Sequence, residues 1–298
     1  MIINATMKVV ITIPAYNEEE TISKVISEIN EEMFKTDYNY SILVYNDGSQ
    51  DKTTKVAKKA GAIVVSHKKN RGLAQTFTDE MQECLKSKAD IIVHTDADGQ
   101  YPAKFIPQLI KKIEEGYDLV LGSRFKGRIE SMSLMKKLGN KTFSKVFSRI
   151  LKTKITDTTT GFRAFTKDVA EEIKLINTFT YTQEQLIKAG KQNFRITEIP
   201  IDSRKTRKSR LFGNPFEYAI KAWINILRIY RDYEPLKFFG RIGLILIAFG
   251  LIIAFYFVYL HFTTGITGHL GLLLLMLLLI TTGLHIILFG FLADMMKK

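Results

Sequence analysis

Two long stretches near the C-terminus lack charged residues, and they constrain the fold more than any other feature of the chain. Asp, Glu, Lys and Arg are absent from Ile242 to Phe262 and from Leu270 to Ala293. About 20 apolar residues suffice to cross the hydrocarbon core of a bilayer. Each stretch therefore predicts a transmembrane helix, with a short loop from Thr263 to His269 between them. A pair of buried core helices is the alternative, although such helices normally keep a polar edge.

Basic residues flank the two predicted spans on one side only. The loop between the spans contains no Lys or Arg, whereas Arg228, Arg231, Lys237 and Arg241 precede the first span and Lys297 and Lys298 follow the second. Positively charged flanks favour the cytoplasmic side of a membrane. We therefore expect a multi-pass protein of the cell membrane whose soluble part faces the cytoplasm. The expected division is a soluble domain over 1–203, a membrane-interface segment over 204–238 and the two spans over 239–298.

The chain has a net charge of +13, and its densest basic run lies just ahead of these spans. The densest basic run extends from Arg204 to Arg210, a position that suits anionic lipid headgroups or a lipid phosphate better than nucleic acid. The residues from Pro215 to Tyr230 have one apolar helical face with a tryptophan, which predicts a helix lying in the membrane interface. An ordinary helix packed on the soluble domain is the alternative.

Strand and helix patterns alternate through the first two hundred residues. This β-α-β rhythm predicts an α/β domain with a mostly parallel sheet flanked by helices on both faces. The predicted strands are Lys8 to Ile13, Ser41 to Tyr45, Ala62 to Ser66, Ile91 to Thr95, Asp118 to Gly122 and Phe194 to Pro200. The predicted helices are Glu19 to Met33, Lys52 to Ala60, Leu73 to Lys86 and Ala103 to Glu115.

The apolar strand that begins at Ile91 leads directly into two carboxylates, Asp96 and Asp98. Open α/β sheets bind their ligands at the carboxyl ends of the strands. Two like charges so close together repel each other, and a divalent cation beside a phosphate-bearing ligand relieves that repulsion. This segment therefore predicts a nucleotide-binding protein.

Three other polar segments are predicted to lie at the same edge of the sheet. They are Pro14-Ala15-Tyr16-Asn17-Glu18 after the first strand, Asn46-Asp47-Gly48-Ser49 after the second, and Asn70-Arg71-Gly72. The carboxyl ends of parallel strands meet at one edge, so these residues gain significance together. Asp47 could accept hydrogen bonds from a nucleotide base, and Glu18 could accept them from a ribose.

Six motifs in order carry a family resemblance. Beyond the three segments above, they are Asp96-Ala97-Asp98-Gly99-Gln100, Gly122-Ser123-Arg124, and Asp157 through Gly161-Phe162-Arg163. The set resembles glycosyltransferase family 2, and within it the chain is similar to the dolichyl-phosphate mannose synthase-like polyprenyl-phosphate glycosyltransferases. The resemblance implies a GT-A-type fold followed by an interfacial helix and a two-helix transmembrane hairpin.

The resemblance also implies a donor site. Asp98 and Gln100 would bind Mg²⁺ or Mn²⁺ together with the donor diphosphate, and Asp96 would contact the nucleotide or the sugar. The nucleotide-sugar pocket would comprise Pro14, Ala15, Tyr16, Glu18, Asp47, Arg71 and Asp96. Hard cations of this kind accept few protein ligands when phosphate and water complete the shell.

The implied acceptor is a polyprenyl or dolichyl phosphate, whose oxygen is already anionic at neutral pH and needs no general base. It needs alignment and relief from the charge of the donor diphosphate, which arginines and a metal supply. The candidate arginines are Arg124, Arg163, Arg204, Arg207 and Arg210. Asp157 matches a carboxylate sometimes assigned as a base in relatives, and we expect it instead to orient an arginine or the acceptor. The expected catalytic set is Asp96, Asp98, Arg124, Asp157 and Arg204.

The chain departs from the mannose synthase pattern at the phosphate side. It has Arg204, then Arg207, then Ser209-Arg210-Leu211, and it has Asn46 where the usual pair is Asp-Asp. The donor is therefore left open between a UDP-sugar, such as UDP-GlcNAc or UDP-glucose, and GDP-mannose. The expected function is inverting transfer of one sugar, as a monomer or a homo-oligomer. A polysaccharide synthase-like enzyme and a non-catalytic membrane scaffold are the alternatives.

Overall fold

The computed structural model describes residues 7–130, 132, 134–151, 153–175, 181–205, 224, 227, 228, 230–263 and 269–296. The chain divides into two compact units, Met1–Phe212 and Gly213–Lys298. Arg207, Arg210 and most of the predicted interfacial helix lie outside the described residues.

The first unit is built on a seven-stranded sheet with the strand order β3-β2-β1-β4-β6-β5-β7. The strands are β1 (Lys8–Ala15), β2 (Asn39–Asn46), β3 (Ile63–Ser66), β4 (Ile91–His94), β5 (Leu119–Ser123), β6 (Arg163–Thr166) and β7 (Ile196–Pro200). The helices are α1 (Ile22–Met33), α2 (Thr53–Lys59), α3 (Leu73–Lys86), α4 (Ile106–Glu114), α5 (Leu134–Leu151), α6 (Lys167–Glu172) and α7 (Tyr181–Lys191), with a short 3-10 helix at Ala103–Phe105.

The prediction of a mostly parallel α/β sheet is confirmed. Strands β1, β2, β3 and β4 pair in parallel, as do β5 and β7. Strand β6 was not predicted, and it runs antiparallel to both β4 and β5. Because it pairs Arg163 with His94, the start of β6 lies at the edge where β4 ends.

Helical periodicity places the core against the sheet. Apolar residues at spacings of three and four along α1 and α4 are buried, and they form one cluster with alternate residues of β1 such as Val9 and Ile11. The opposite face of the sheet is covered by α3, where Phe77 contacts Phe165 of β6. This alternation is the pattern expected for a sheet covered on both sides, and it leaves the strand ends as the place for polar residues.

The second unit contains two long apolar helices, Pro235–Thr263 and Leu270–Met295, which pack against each other. Both are long and apolar enough to cross a membrane. Glycines allow the helices to approach closely, because a Cβ atom on Gly243 would lie 2.5 Å from the carbonyl oxygen of Gly283. Small residues at a contact are typical of helix pairs in membranes.

Candidate active site

Five strand termini converge on one edge of the sheet. Strands β1, β2 and β4 are parallel, and β5 has the same direction as β4 because β6 runs antiparallel to both. Asp47, Asp96 and Arg124 follow the ends of β2, β4 and β5. The start of β6 adds the residues before Arg163. The structure therefore brings the predicted donor motifs and the Asp157–Arg163 motif to a common edge.

The two carboxylates after β4 lie in a tight turn. Gly99 has a φ of 71°, and the backbone N–H of Gln100 donates to Oδ1 of Asp98 at 3.0 Å. Burial and, secondly, repulsion by Asp98 raise the pKa of Asp96 from 3.8 to about 6. Ionisation of both carboxylates is therefore unfavourable in the ligand-free protein, and a cation nearby would stabilise the two charges.

A glycine makes room for Asp96. A Cβ atom on Gly161 would lie 2.9 Å from Oδ1 and 3.1 Å from Oδ2 of Asp96, closer than a side-chain carbon can pack without displacing the carboxylate. The ring of Phe162, the next residue, stacks on Tyr101 with centroids 5.2 Å apart. Gly161 thus belongs to the site through the space that it leaves open.

The motifs after β1 and β2 are tied to each other. Asn17 has a φ of 54°, and its N–H donates to Oγ of Ser49 at 2.9 Å while its side-chain oxygen accepts from the N–H of Gln50 at 2.9 Å. The N–H of Glu18 donates to Oγ1 of Thr53 at 2.8 Å. These bonds hold the first predicted motif beside the second, with Tyr16 exposed at the surface.

Asp47 is buried and organises the third motif. Its Oδ1 accepts from the backbone N–H of Arg71 at 2.8 Å, and its Oδ2 accepts from the N–H of Gly72 at 2.9 Å. The side chain of Arg71 is about half exposed and donates to Asp79 at 3.3 Å. The predicted neighbours Asp47 and Arg71 are therefore in direct contact, and the contact is through the Arg71 backbone.

Arg124 and Asp157 form a buried ion pair. The backbone N–H of Arg124 donates to Oδ2 of Asp157 at 3.2 Å, while Nε and Nη2 donate to the two carboxylate oxygens at 2.7 and 2.9 Å. Such forked contacts fix the plane and direction of a guanidinium. The carboxylate of Asp157 thus fixes the guanidinium of Arg124, and its role in the reaction stays a prediction.

Arg163 occupies a different environment from the one that the sequence suggested. It is fully buried, and its guanidinium donates to the carbonyl oxygens of Thr160 and Thr182 and, at 3.0 Å, to Oε1 of Gln185. In this position it holds the start of α7 against the loop before β6. The charged group therefore points into the protein, and the contact of Arg163 with an acceptor phosphate stays a prediction.

Arg204 adjoins the Asp96–Gln100 motif. Its backbone N–H donates to the carbonyl oxygen of Gln100 at 3.0 Å. Its guanidinium pairs with both carboxylate oxygens of Glu28 at 2.9 and 2.8 Å, and the side chain is 41% exposed. An accessible arginine therefore lies next to the predicted metal motif.

The comparisons with known proteins agree with this geometry. Residues 10–174 match the model of glycosyl transferase family 2. The chain belongs to this family. As a member of it, the protein is an enzyme that transfers a sugar.

Relatives of this glycosyltransferase include two archaeal enzymes named for lipid phosphates. A dolichol-phosphate mannosyltransferase of Pyrococcus furiosus is 32% identical over 80% of this chain and 69% of the relative. A UDP-N-acetylglucosamine–dolichyl-phosphate N-acetylglucosaminyltransferase of Methanococcus voltae is 29% identical over 73% of this chain and 94% of the relative. Both match most of the chain.

A solved structure shows the same fold. Glucosyl-3-phosphoglycerate synthase from Mycobacterium tuberculosis, determined with Mn²⁺, uridine diphosphate and glucosyl-3-phosphoglycerate, has a TM-score of 0.61 and 20% identity. The match covers 75% of this chain and 79% of that one. At this identity the likeness concerns the fold of the glycosyltransferase domain.

The potential metal ligands at this edge of the glycosyltransferase are oxygen atoms. The carboxylates of Asp96 and Asp98 and the amide of Gln100 belong to one short turn. Across the described ranges of the chain, no group of three or more His, Cys, Asp or Glu side chains is arranged to hold a metal ion. The carboxylate and amide oxygens of this turn fit a hard divalent cation, which can complete its shell with phosphate and water.

Several side chains that shape the site of the glycosyltransferase were not predicted from the sequence. His67 contacts Asp47, and Asp79 accepts a hydrogen bond from Arg71. Glu198 of β7 accepts from the backbone N–H of Asp157 at 3.0 Å and lies 3.1 Å from Nζ of Lys126. His67 could have been suspected from its place just before Asn70-Arg71-Gly72. Glu198 carried no local signal, because its partner is 41 residues away.

Proposed function

We propose that this glycosyltransferase transfers one sugar, with inversion, from a nucleotide-diphosphate sugar to a polyprenyl or dolichyl phosphate at the cytoplasmic leaflet of the cell membrane. The product would be a lipid-linked sugar for glycan or glycoprotein assembly. The observation that carries the proposal is the bond between Arg204 and Gln100. It fixes the backbone of Arg204, whose guanidinium is accessible, beside the acidic turn, which supports a site where a donor diphosphate and an acceptor phosphate are held side by side.

The donor half of the site would lie at the ends of β1, β2 and β4. A nucleotide pocket of Pro14, Ala15, Tyr16, Glu18, Asp47 and Arg71 is supported by the bonds that tie these segments together. Asp96 would contact the nucleotide or the sugar. The relatives are named for N-acetylglucosamine and for mannose, so the sugar stays open between UDP-GlcNAc, UDP-glucose and GDP-mannose.

Asp98 and Gln100 would hold Mg²⁺ or Mn²⁺ with the donor diphosphate. A divalent cation supplies positive charge that stabilises the nucleotide diphosphate as it leaves. The raised pKa of Asp96 and the oxygen ligands offered by this turn support this assignment. The structural neighbour that contains Mn²⁺ together with uridine diphosphate has the same fold.

The acceptor half would use arginines and no general base. A phosphate monoester oxygen is already anionic at neutral pH, so the protein has to bring it to the anomeric carbon against the charge of the donor. Arg204 is accessible for this task, and Arg207 and Arg210 follow it in the sequence. Arg124, fixed by Asp157, would direct its charge toward the reacting phosphates from inside the domain.

The bilayer would present the acceptor. The second unit has two helices of membrane-spanning length, and the basic residues beside them favour a cytoplasmic position for the catalytic unit. An acceptor with a long prenyl chain would then expose its phosphate at the membrane surface. The basic run from Arg204 to Arg210, which precedes the spans in the sequence, would attract that phosphate.

The proposal is tested by incubating the purified full-length protein with labelled UDP- and GDP-sugars, Mn²⁺ and polyprenyl phosphate in detergent or liposomes. We expect one donor to yield a lipid-linked sugar, with a loss of about 10³-fold in Asp98→Ala, since a metal site supplies several kcal/mol. Asp90→Ala is the matched control, because Asp90 lies just before the opposite end of β4. Absence of product with every donor, or equal activity of Asp98→Ala and wild type, would contradict the proposal.

A further inference from the structure

His67 lies between two carboxylates at the edge of the nucleotide pocket. Its Nδ1 is 2.7 Å from Oδ1 of Asp47, and its Nε2 is 2.7 Å from Oδ2 of Asp79. Only 7% of its side chain is exposed. Two contacts this short, on opposite sides of one buried ring, are more than packing requires.

Each ring nitrogen of His67 has its own carboxylate partner, so the imidazole bridges Asp47 and Asp79. An imidazole nitrogen forms a hydrogen bond either as an N–H donor or through its lone pair. Hydrogen bonds that involve a carboxylate are stronger than those between neutral groups. The ring therefore fixes the positions of both carboxylates.

The other groups around the ring complete a network. Asp79 also accepts from Nη1 of Arg71 at 3.3 Å and from Nε2 of Gln75 at 2.9 Å. The ring of Tyr45 meets His67 edge-on, with centroids 4.8 Å apart. His67 and Arg71 thus share one carboxylate, Asp79, in the middle of α3.

The backbone of the segment 67–72 is fixed by the same network. The N–H of His67 donates to the carbonyl oxygen of Asn46 at 2.9 Å, and the N–H groups of Arg71 and Gly72 donate to Asp47. The segment packs so closely that a Cβ atom on Gly48 would lie 2.6 Å from the carbonyl carbon of Lys69. His67 therefore links the turn after β2 to the segment that carries Arg71.

We propose that His67 is a positioning residue for nucleotide binding, which sets Asp47 and Arg71 in the geometry that holds the donor nucleotide. The proposal rests on the proposed function, in which Asp47 and Arg71 belong to the nucleotide pocket. Removal of the imidazole takes away the group that bridges the carboxylates of Asp47 and Asp79, so both side chains, and the Arg71 guanidinium that pairs with Asp79, lose their fixed positions. The effect falls on donor binding, because the network contacts neither Arg204 nor the Arg124–Asp157 pair.

The test compares His67→Ala and Asp79→Asn with wild type, using calorimetric titration of the full-length protein with UDP and with GDP in the presence of Mn²⁺. Whichever nucleotide wild type binds, we expect its Kd to be about tenfold higher in His67→Ala. This rise corresponds to the loss of one charge-assisted hydrogen bond. Asp79→Asn keeps the bond from His67 to Asp47 and should raise the Kd about threefold. In transfer assays the donor KM should rise in parallel, while the acceptor KM stays within about twofold of wild type.

Tyr38→Phe is the matched control for a loss of structure alone. The Tyr38 hydroxyl donates to Glu114 at 2.9 Å, just before the opposite end of β2, so its removal should leave the nucleotide Kd unchanged. If His67→Ala does not fold, as judged by its thermal transition, Asp79→Asn carries the test.

An unchanged nucleotide Kd in the folded variants would overturn the proposal, and so would equal rises of the donor and acceptor KM. Failure of wild type to bind either nucleotide would overturn it as well. If wild type forms no lipid-linked sugar but the nucleotide Kd responds to His67→Ala, the acceptor part of the proposed function fails and the role of His67 stands.

Discussion

The proposed donor and acceptor halves of the site are built in different ways. On the proposed donor side, backbone N–H groups contribute to holding the carboxylates: Asp47 accepts from two of them, and Asp98 accepts from Gln100. On the proposed acceptor side, the described arginines are paired with carboxylates, as in Arg124–Asp157 and Arg204–Glu28. Backbone turns and the His67 bridge thus organise the first half, whereas arginine–carboxylate pairs organise the second.

The two ion pairs of the acceptor side also differ from each other. The Arg124–Asp157 pair is buried, whereas both members of the Arg204–Glu28 pair are accessible to solvent. A buried pair is costly to break, while an exposed pair contributes about 0–1 kcal/mol. A ligand phosphate can therefore compete with Glu28 for Arg204, but it has to approach Arg124 with Asp157 still in place.

Breaking the buried pair should have the largest effect on the fold. Arg124→Ala leaves the carboxylate of Asp157 buried without its partner, so we expect a loss of about 3–5 kcal/mol in the free energy of unfolding. Chemical denaturation of the first unit measures it. A loss below about 1 kcal/mol would show that the pair behaves like a surface contact and would remove the contrast with Arg204.

The space left by Gly161 allows a test of the geometry on the donor side. In Gly161→Ala the new Cβ atom would lie 2.9 Å from Asp96, so the carboxylate must move, and we expect kcat/KM for the donor to fall about 10- to 100-fold. Gly139→Ala is the matched control, because its Cβ atom would meet nothing within 4 Å. Equal activity of both variants would mean that the position of Asp96 is not critical.

The exposed pair should matter for the acceptor and little for the fold. Arg204→Ala removes the accessible guanidinium, so we expect the KM for polyprenyl phosphate to rise about tenfold while stability changes by less than about 1 kcal/mol. Arg195→Ala serves as the control, since Arg195 lies just before β7, at the end away from Arg204. A selective rise of the donor KM in Arg204→Ala would place this residue on the wrong side of the site.

The pH dependence of Asp96 should produce the smallest effect. Its raised pKa of about 6 means that the folded, ligand-free protein disfavours the ionised form. The stabilisation by the protonated form is therefore lost as the pH rises through about 6. Asp96→Asn removes this penalty, so its melting temperature relative to wild type should be higher at about pH 7 than at about pH 5. A pH-independent difference would contradict the raised pKa.

The sequence predicted the parallel part of the sheet well because its strands are continuous apolar runs. It missed β6, which has four residues and begins with an arginine. Since β6 is antiparallel, residues that precede it in the chain lie beside residues that follow β4. The direction of β6 explains why Gly161 lies beside Asp96.

Pairings across the fold were also beyond local patterns. The charge of Arg204 was evident, but its partner Glu28 lies 176 residues away. The bridge from Asp47 through His67 to Asp79 depends on the position of α3 relative to the ends of β2 and β3. Such contacts follow from helix placement, which residue spacing alone does not define.

In the proposed reaction the acceptor atom is a phosphate oxygen, activated by its own charge and positioned by arginines. The most direct measurement compares polyprenyl phosphate with the matching polyprenol, which lacks the phosphate, under the same donor and Mn²⁺ conditions. We predict lipid-linked sugar from the phosphate and none from the alcohol, because no base is assigned to deprotonate a hydroxyl. Equal transfer to polyprenol would contradict the account.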